Sequence, residues 1–123
     1  IKYLHWTLPG ATAATAANYG TIFIVPTTMT VVGFKEVHET AGSDPGAVTV
    51  DLEKLTGTTA PASGTALLST ALSLKATANT VQTGTLTATK ADLNLAAGDR
   101  LALKDAGTLT AVVGVSVLVE LQF

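Results

Sequence analysis

Acid–base or metal chemistry in this chain has to come from two histidines and nine carboxylates, because it contains no cysteine. His5 and His38 stand far apart, and neither sits in an HxH or HExxH spacing. His38 lies between Glu36 and Glu39. On a strand, Glu36 and His38 share one face. A third ligand is missing, so a solvated face is expected there rather than a metal site. Asp51 with Glu53 and Asp92 with Asp99 offer paired carboxylates, which glycosidases use. On alternating strands such pairs are expected on the wet side. Calcium needs several oxygens converging from one loop, which neither Ser43-Asp44 nor Asp99 supplies. Thr56-Gly57-Thr58-Thr59 has one glycine and no following lysine, so it reads as a flexible loop rather than a phosphate cradle. No GxSxG, P-loop or GxGxxG occurs. No enzyme activity, cofactor or metal is therefore expected.

Charge narrows the partners. The net charge is −2, and the seven basic residues Lys2, Lys35, Lys54, Lys75, Lys90, Arg100 and Lys104 are dispersed. Nucleic-acid binding needs a basic patch to displace counterions, so none is expected. No apolar run approaches the roughly 18 residues of a membrane-spanning helix, and no membrane partner is expected. Charged residues make up only 13% of the chain, about half the usual share. A surface of Thr, Ala and Ser suits a chain packed against copies of itself or another protein; an ordinary secreted β-domain is the alternative. The chain begins with Ile1, and no signal peptide is visible in it.

The elements that would carry these residues are strands. In residues 95–123 (LAAGDRLALKDAGTLTAVVGVSVLVELQF), Leu101 and Leu103 alternate with polar or small residues. Val113, Val115, Val117, Val119, Leu121 and Phe123 then take every second position. A period of two sends one set to the core. Gly98-Asp99 reads as a turn, and this end as a hairpin-like spine. Residues 30–40 and 47–54, around the dense turn signal at Asp44-Pro45-Gly46, read as a second hairpin. Val32 and Phe34 point one way and Val37 breaks the period, so a β-bulge or bend is expected at Gly33.

Residues 1–8 (IKYLHWTL) read as a strand and residues 11–18 (ATAATAAN) as a loop or extended arm. Residues 1–18 are thus expected to form a strand plus an arm contacting a neighbour. Residues 21–25 (TIFIV) form a short strand ended by Pro26. Residues 65–72 (TALLSTAL) have room for a helical turn or two, and residues 81–89 read as a strand interrupted by Gly84. The sum is a single domain, 1–123, of about eight short strands: an all-β, antiparallel β-sandwich, with a partly open barrel as the alternative. The aromatics are few. Tyr3 and Trp6 fall on opposite faces of a regular strand, so core or interface anchoring is expected rather than a sugar platform. Tyr3, Trp6 and Tyr19 are the candidate interface residues.

From Val48 to the end, the pieces VTVDLEKL, GTALLS, TVQTGTL and LAAGDRLAL before a β-rich last strand resemble structural proteins of tailed-phage virions. A Gly-Asp turn before a strand also occurs in tumour-necrosis-factor-like jelly rolls. The resemblance implies a jelly-roll-like β-sandwich, commonly trimeric, displayed on a capsid or at a fibre tip. It implies a head decoration (cement) protein that binds the major capsid protein on the outer capsid surface of the virion as a homo-oligomer. The alternative is the receptor- or glycan-binding head of a fibre or an adhesin. No family site residues are carried over.

Overall fold

The computed structural model describes residues 2–7 and 21–123. The expected arm over residues 9–18 and Tyr19 lie outside the described residues, as do the side chains of Lys2, Trp6 and Thr7. The described residues form ten strands: β1 Lys2–Thr7, β2 Thr21–Ile24, β3 Met29–Val37, β4 Thr49–Leu55, β5 Thr65–Ala66, β6 Leu72–Ser73, β7 Gln82–Thr83, β8 Asn94–Leu95, β9 Arg100–Ala106 and β10 Ser116–Gln122. One 3-10 turn, Lys90–Leu93, precedes β8, and no α-helix occurs among the described residues. The helical turn expected within residues 65–72 is instead extended chain, because tertiary pairing outweighs weak local preference.

The strands make two antiparallel sheets. Sheet A runs β1-β10-β3-β7 with β8 also on β3, and sheet B runs β2-β9-β4-β5 with β6 also on β4. Because β5 and β6 both pair with β4, and β7 and β8 both pair with β3, each couple is one broken strand. Eight strands then remain, and consecutive strands switch sheets at every step except from β4 to β5. This is the jelly-roll order.

Sheet switching corrects both expected hairpins. β3 belongs to sheet A and β4 to sheet B, and likewise β9 to sheet B and β10 to sheet A. The connections 38–48 and 107–115 run side by side instead: Glu39 and Thr40 donate N–H bonds to the Val113 carbonyl, and Ser43 donates to Thr110. Gly107 is required there, with φ +86°, because a Cβ would meet the Ala47 carbonyl oxygen at 2.0 Å.

Alternation places the core as expected. Val117, Val119 and Leu121 from sheet A, with Val115 just before β10, face Val50, Leu52, Leu101 and Leu103 from sheet B, all buried. Val113 and Phe123 lie outside β10 and are exposed. The expected bulge is present. Glu120 pairs with Gly33 and Leu121 with Val31, leaving Val32 as the extra residue. Its effect is to turn Val32 outward and carry the buried face from Met29 and Val31 over to Phe34, Glu36 and His38.

The two long sides of the sandwich differ. On one, Gly84 donates to Phe34 of sheet A, Ser69 to Thr85, Thr87 to Leu67, and Leu67 to Leu52 of sheet B. Main-chain bonds thus lead around that side from β3 to β4. On the other side lie β1 and β2, the terminal strands of sheets A and B.

Leu103→Ala is expected to cost about 2–5 kcal/mol, as for other buried leucines. Leu118→Ala, on the outer face of sheet A, should cost clearly less. Urea unfolding of the two variants checks which face is which.

Candidate functional site

The bulge in β3 brings the most polar cluster inside. Glu36 and His38 are 1% and 0% exposed, so the expected solvated face is overturned. His38 Nδ1 lies 2.8 Å from Glu36 Oε2, and Nε2 lies 2.8 Å from the Ala76 carbonyl oxygen. Gln82 Nε2 donates to Glu36 Oε1 at 2.7 Å and to the Ser73 carbonyl at 2.8 Å. A carbonyl only accepts, so Nε2 carries a proton, and Nδ1 and the carboxyl group share the next one. Both ring nitrogens are committed, and no lone pair is left for a metal. The cluster is a clasp tying β3 to the 73–82 segment. Among the described residues, no group of three or more His, Cys, Asp and Glu converges as metal ligands would.

His5 does not join it. It is exposed on β1 and lines a shallow cleft of about 290 Å³ with Lys35, Glu36, Val81 and Leu118, without a hydrogen bond to the cluster.

The other carboxylates serve local structure. Glu53, expected on a wet face, is 1% exposed. The 56–64 loop folds over it, and its carboxylate accepts N–H bonds from Ala62 and, at 3.2 Å, from Gly64. Asp51 is half-buried in a cleft of about 210 Å³, paired across the strands with Lys104. Burial pushes its carboxyl above the usual range, against the pull of the Leu52 and Leu68 amides and Lys104. Asp99 accepts from the Ala96 amide and closes its turn, with Gly98 at φ +91°. Asp44 caps the Gly46 amide in the same manner.

The Thr56–Thr59 loop presents no cradle of amides. Its Gly57 and Thr59 carbonyls accept from Arg100 Nη2 at 3.2 and 2.7 Å, which fixes a loop expected to be flexible.

The apolar edge is different. Tyr3 and Leu4 of β1, Phe23 of β2, then Pro26, Thr27, Met29, Leu121 and Phe123 line an apolar cleft of about 360 Å³. Tyr3 is 62% exposed and Phe123 68%, and Ile24 on β2 is also 68% exposed. Of the expected interface residues, Tyr3 is at this edge. Trp6 pairs with Val117 through its backbone, and Tyr19 is outside the described residues. Sequence reasoning missed Phe23 and Phe123. Phe123 continues the period of the last strand and so reads as core, but β10 ends one residue before it.

No protein-family model matches the chain, and neither the curated proteins nor the solved structures give a match.

His38→Ala is expected to cost about 3–5 kcal/mol, since it strands a buried carboxyl; thermal unfolding measures it. Asp51 gives a pH signature. A carboxyl raised by folding binds its proton more tightly folded than unfolded. Its contribution is greatest at low pH and falls as pH rises through the raised value. Asp51→Asn removes that fall. The urea midpoint of the variant should therefore gain on that of the native chain between about pH 3 and about pH 7.

Proposed function

We propose that this chain is a virion structural protein of the head-decoration type. It assembles as a homo-oligomer, a trimer by the resemblance, on the outer capsid surface. There it bridges neighbouring copies of the major capsid protein and stabilises the shell. The observation that carries the reading is the apolar edge of Tyr3, Phe23, Ile24 and Phe123 on a charge-poor jelly roll. Exposed apolar surface of this kind is a contact site in search of a partner. Its burial contributes about 25 cal/mol per Å² before ordering costs, repeated over every copy on a shell. The resemblance over residues 48–123 supplies the class of partner. In this reading the chain performs no reaction: its polar clusters cap loops and close the fold.

The same aromatics favour one other reading, the glycan-binding head of a fibre or an adhesin. Sugar sites combine an aromatic face with several hydrogen-bonding groups. Here the lining offers only the Tyr3 and Thr27 hydroxyls, which favours a protein partner.

Co-sedimentation with purified expanded capsids tests the proposal. The expected result is saturation at a fixed ratio of chain to capsid protein. Tyr3→Ser should weaken that binding at least about tenfold, the cost of an ordinary interface aromatic, while leaving the unfolding midpoint unchanged. Binding to immobilised glycans without capsid binding would move the assignment to the fibre head.

A further inference from the structure

The loop between β6 and β7 is held by polar bonds rather than by packing. Leu74 enters the core, but none of residues 75–81 is buried. His38 Nε2 donates to the Ala76 carbonyl, and the Asn79 amide donates to the His38 carbonyl at 2.7 Å. Lys75 Nζ reaches the Gly46 carbonyl. At the far end of the loop, Gln82 is fixed by Glu36 and by the Ser73 carbonyl. The loop therefore hangs largely on the buried pair Glu36 and His38.

Counting donors and acceptors sets how many protons this clasp can hold. The Ala76 and Ser73 carbonyls only accept, so His38 Nε2 and one Gln82 N–H point at them. The other Gln82 N–H points at Glu36 Oε1. One proton then lies between His38 Nδ1 and Glu36 Oε2, 2.8 Å apart, whichever of the two owns it. With that proton, every bond has one donor and one acceptor. A second proton has no acceptor to meet. It sets two donors against each other, either at His38 Nδ1 or at Gln82 Nε2, where burial makes an unanswered polar group costly. We infer that the clasp is an acid-operated latch: uptake of one further proton by the Glu36–His38 pair breaks it and frees the 75–81 loop, while the sandwich stays folded. Other charged groups surround the pair. His5 and Lys35 line the same cleft as Glu36, Lys75 is turned to Gly46, Glu39 lies over Gly114, and Asp105 is buried on β9. Variants of the clasp itself separate its response from theirs. The inference concerns the free chain and does not depend on capsid binding.

Amide hydrogen exchange of the full chain, read by NMR as protection factors between about pH 7 and about pH 3, tests the latch. The Asn79 amide, bonded to the His38 carbonyl, is the reporter. It is expected to lose at least about tenfold in protection on the acid side, while the amides of β4 and β9 keep theirs. Glu36→Gln should move that loss to higher pH, by about one pH unit or more. Its carboxamide donates to Nδ1 and accepts from Gln82, so protonation of the ring alone overfills the clasp. Gln82→Glu should reverse the sign. Two carboxyl groups then face each other one proton short, and Asn79 loses protection as pH rises; this variant decides the matter if Glu36→Gln fails to fold. Asn79 protection that falls only together with that of β4 and β9 overturns the latch. So does an acid loss at the same pH in Glu36→Gln as in the native chain, or an unchanged sign in Gln82→Glu. Capsids are absent from this experiment, so its failure and that of the decoration reading are told apart.

Discussion

The main-chain hydrogen bonds that wrap one side of the sandwich set the character of everything else. Phe34 of β3 accepts from Gly84, and Leu52 of β4 accepts from Leu67. Between them, the 67–69 and 85–87 segments bond to each other. Buried amides and carbonyls must find partners, and on this side they find them in the chain itself. Leu67 and Leu68 can therefore enter the core from what would otherwise be loop. The cost falls on the other side. A sheet closed at one margin still ends somewhere, and among the described residues it ends at β1 and β2, with Tyr3, Ile24 and Phe123 exposed.

The bulge at Val32 is the second constraint, and it explains why polar groups lie in the interior. A single extra residue reverses the faces of β3 beyond it, so Glu36 and His38 are buried where an unbroken strand would have sent them to water. A buried carboxyl and imidazole are tolerated only when every polar atom is answered. Gln82 answers one carboxyl oxygen, His38 the other, and the Ala76 carbonyl the far ring nitrogen. All three answers come from the 73–82 segment or from His38, the residue that follows β3. The network thus fixes a stretch that has only a two-residue strand of its own. Polar specificity here substitutes for the apolar packing that a Thr- and Ala-rich segment cannot supply.

Legibility from the sequence followed the same physics. A period of two reports which side chains meet the core, so the stripe from Val115 to Leu121 and the pair Leu101 and Leu103 were readable, as were the turns at Asp44-Pro45-Gly46 and Gly98-Asp99. A period of two does not report which sheet a strand joins. β9 and β10 both bury alternate residues in one core, from opposite sides, and look the same in sequence as a hairpin. The bulge was legible as a broken period, but its consequence for Glu36 and His38 was not, because parity beyond it depends on which residue is extra. Glu53 looked wet because its cover is the 56–64 loop, whose path follows from its own carboxylate and from Arg100. Tyr3 was identifiable at the edge as an aromatic on a terminal strand. Phe23 and Phe123 were not: Phe23 is half-buried against the core within β2, and the exposure of Phe123 depends on where β10 stops.

The scarcity of charge on this protein is deeper than its composition suggests. Lys54 reaches the Asn94 carbonyl, Lys75 the Gly46 carbonyl, and Arg100 two carbonyls of the 56–59 loop. Three of the seven basic residues are thereby engaged with the chain's own backbone. Glu36 and Glu53 are buried, and Asp44 and Asp99 cap their own turns. What little charge the sequence holds is used to fix loops that have few large apolar residues to anchor them. Burial of Glu36, Glu53 and Asp105 takes three of the nine carboxylates off the surface, while the hydrogen-bonded basic groups keep their charge. Such a surface has little charge with which to hold apolar patches of neighbouring molecules apart. The proposed assembly would cover apolar surface at this side, which joins the loop-fixing charges and the exposed Tyr3, Ile24 and Phe123 in one physical argument.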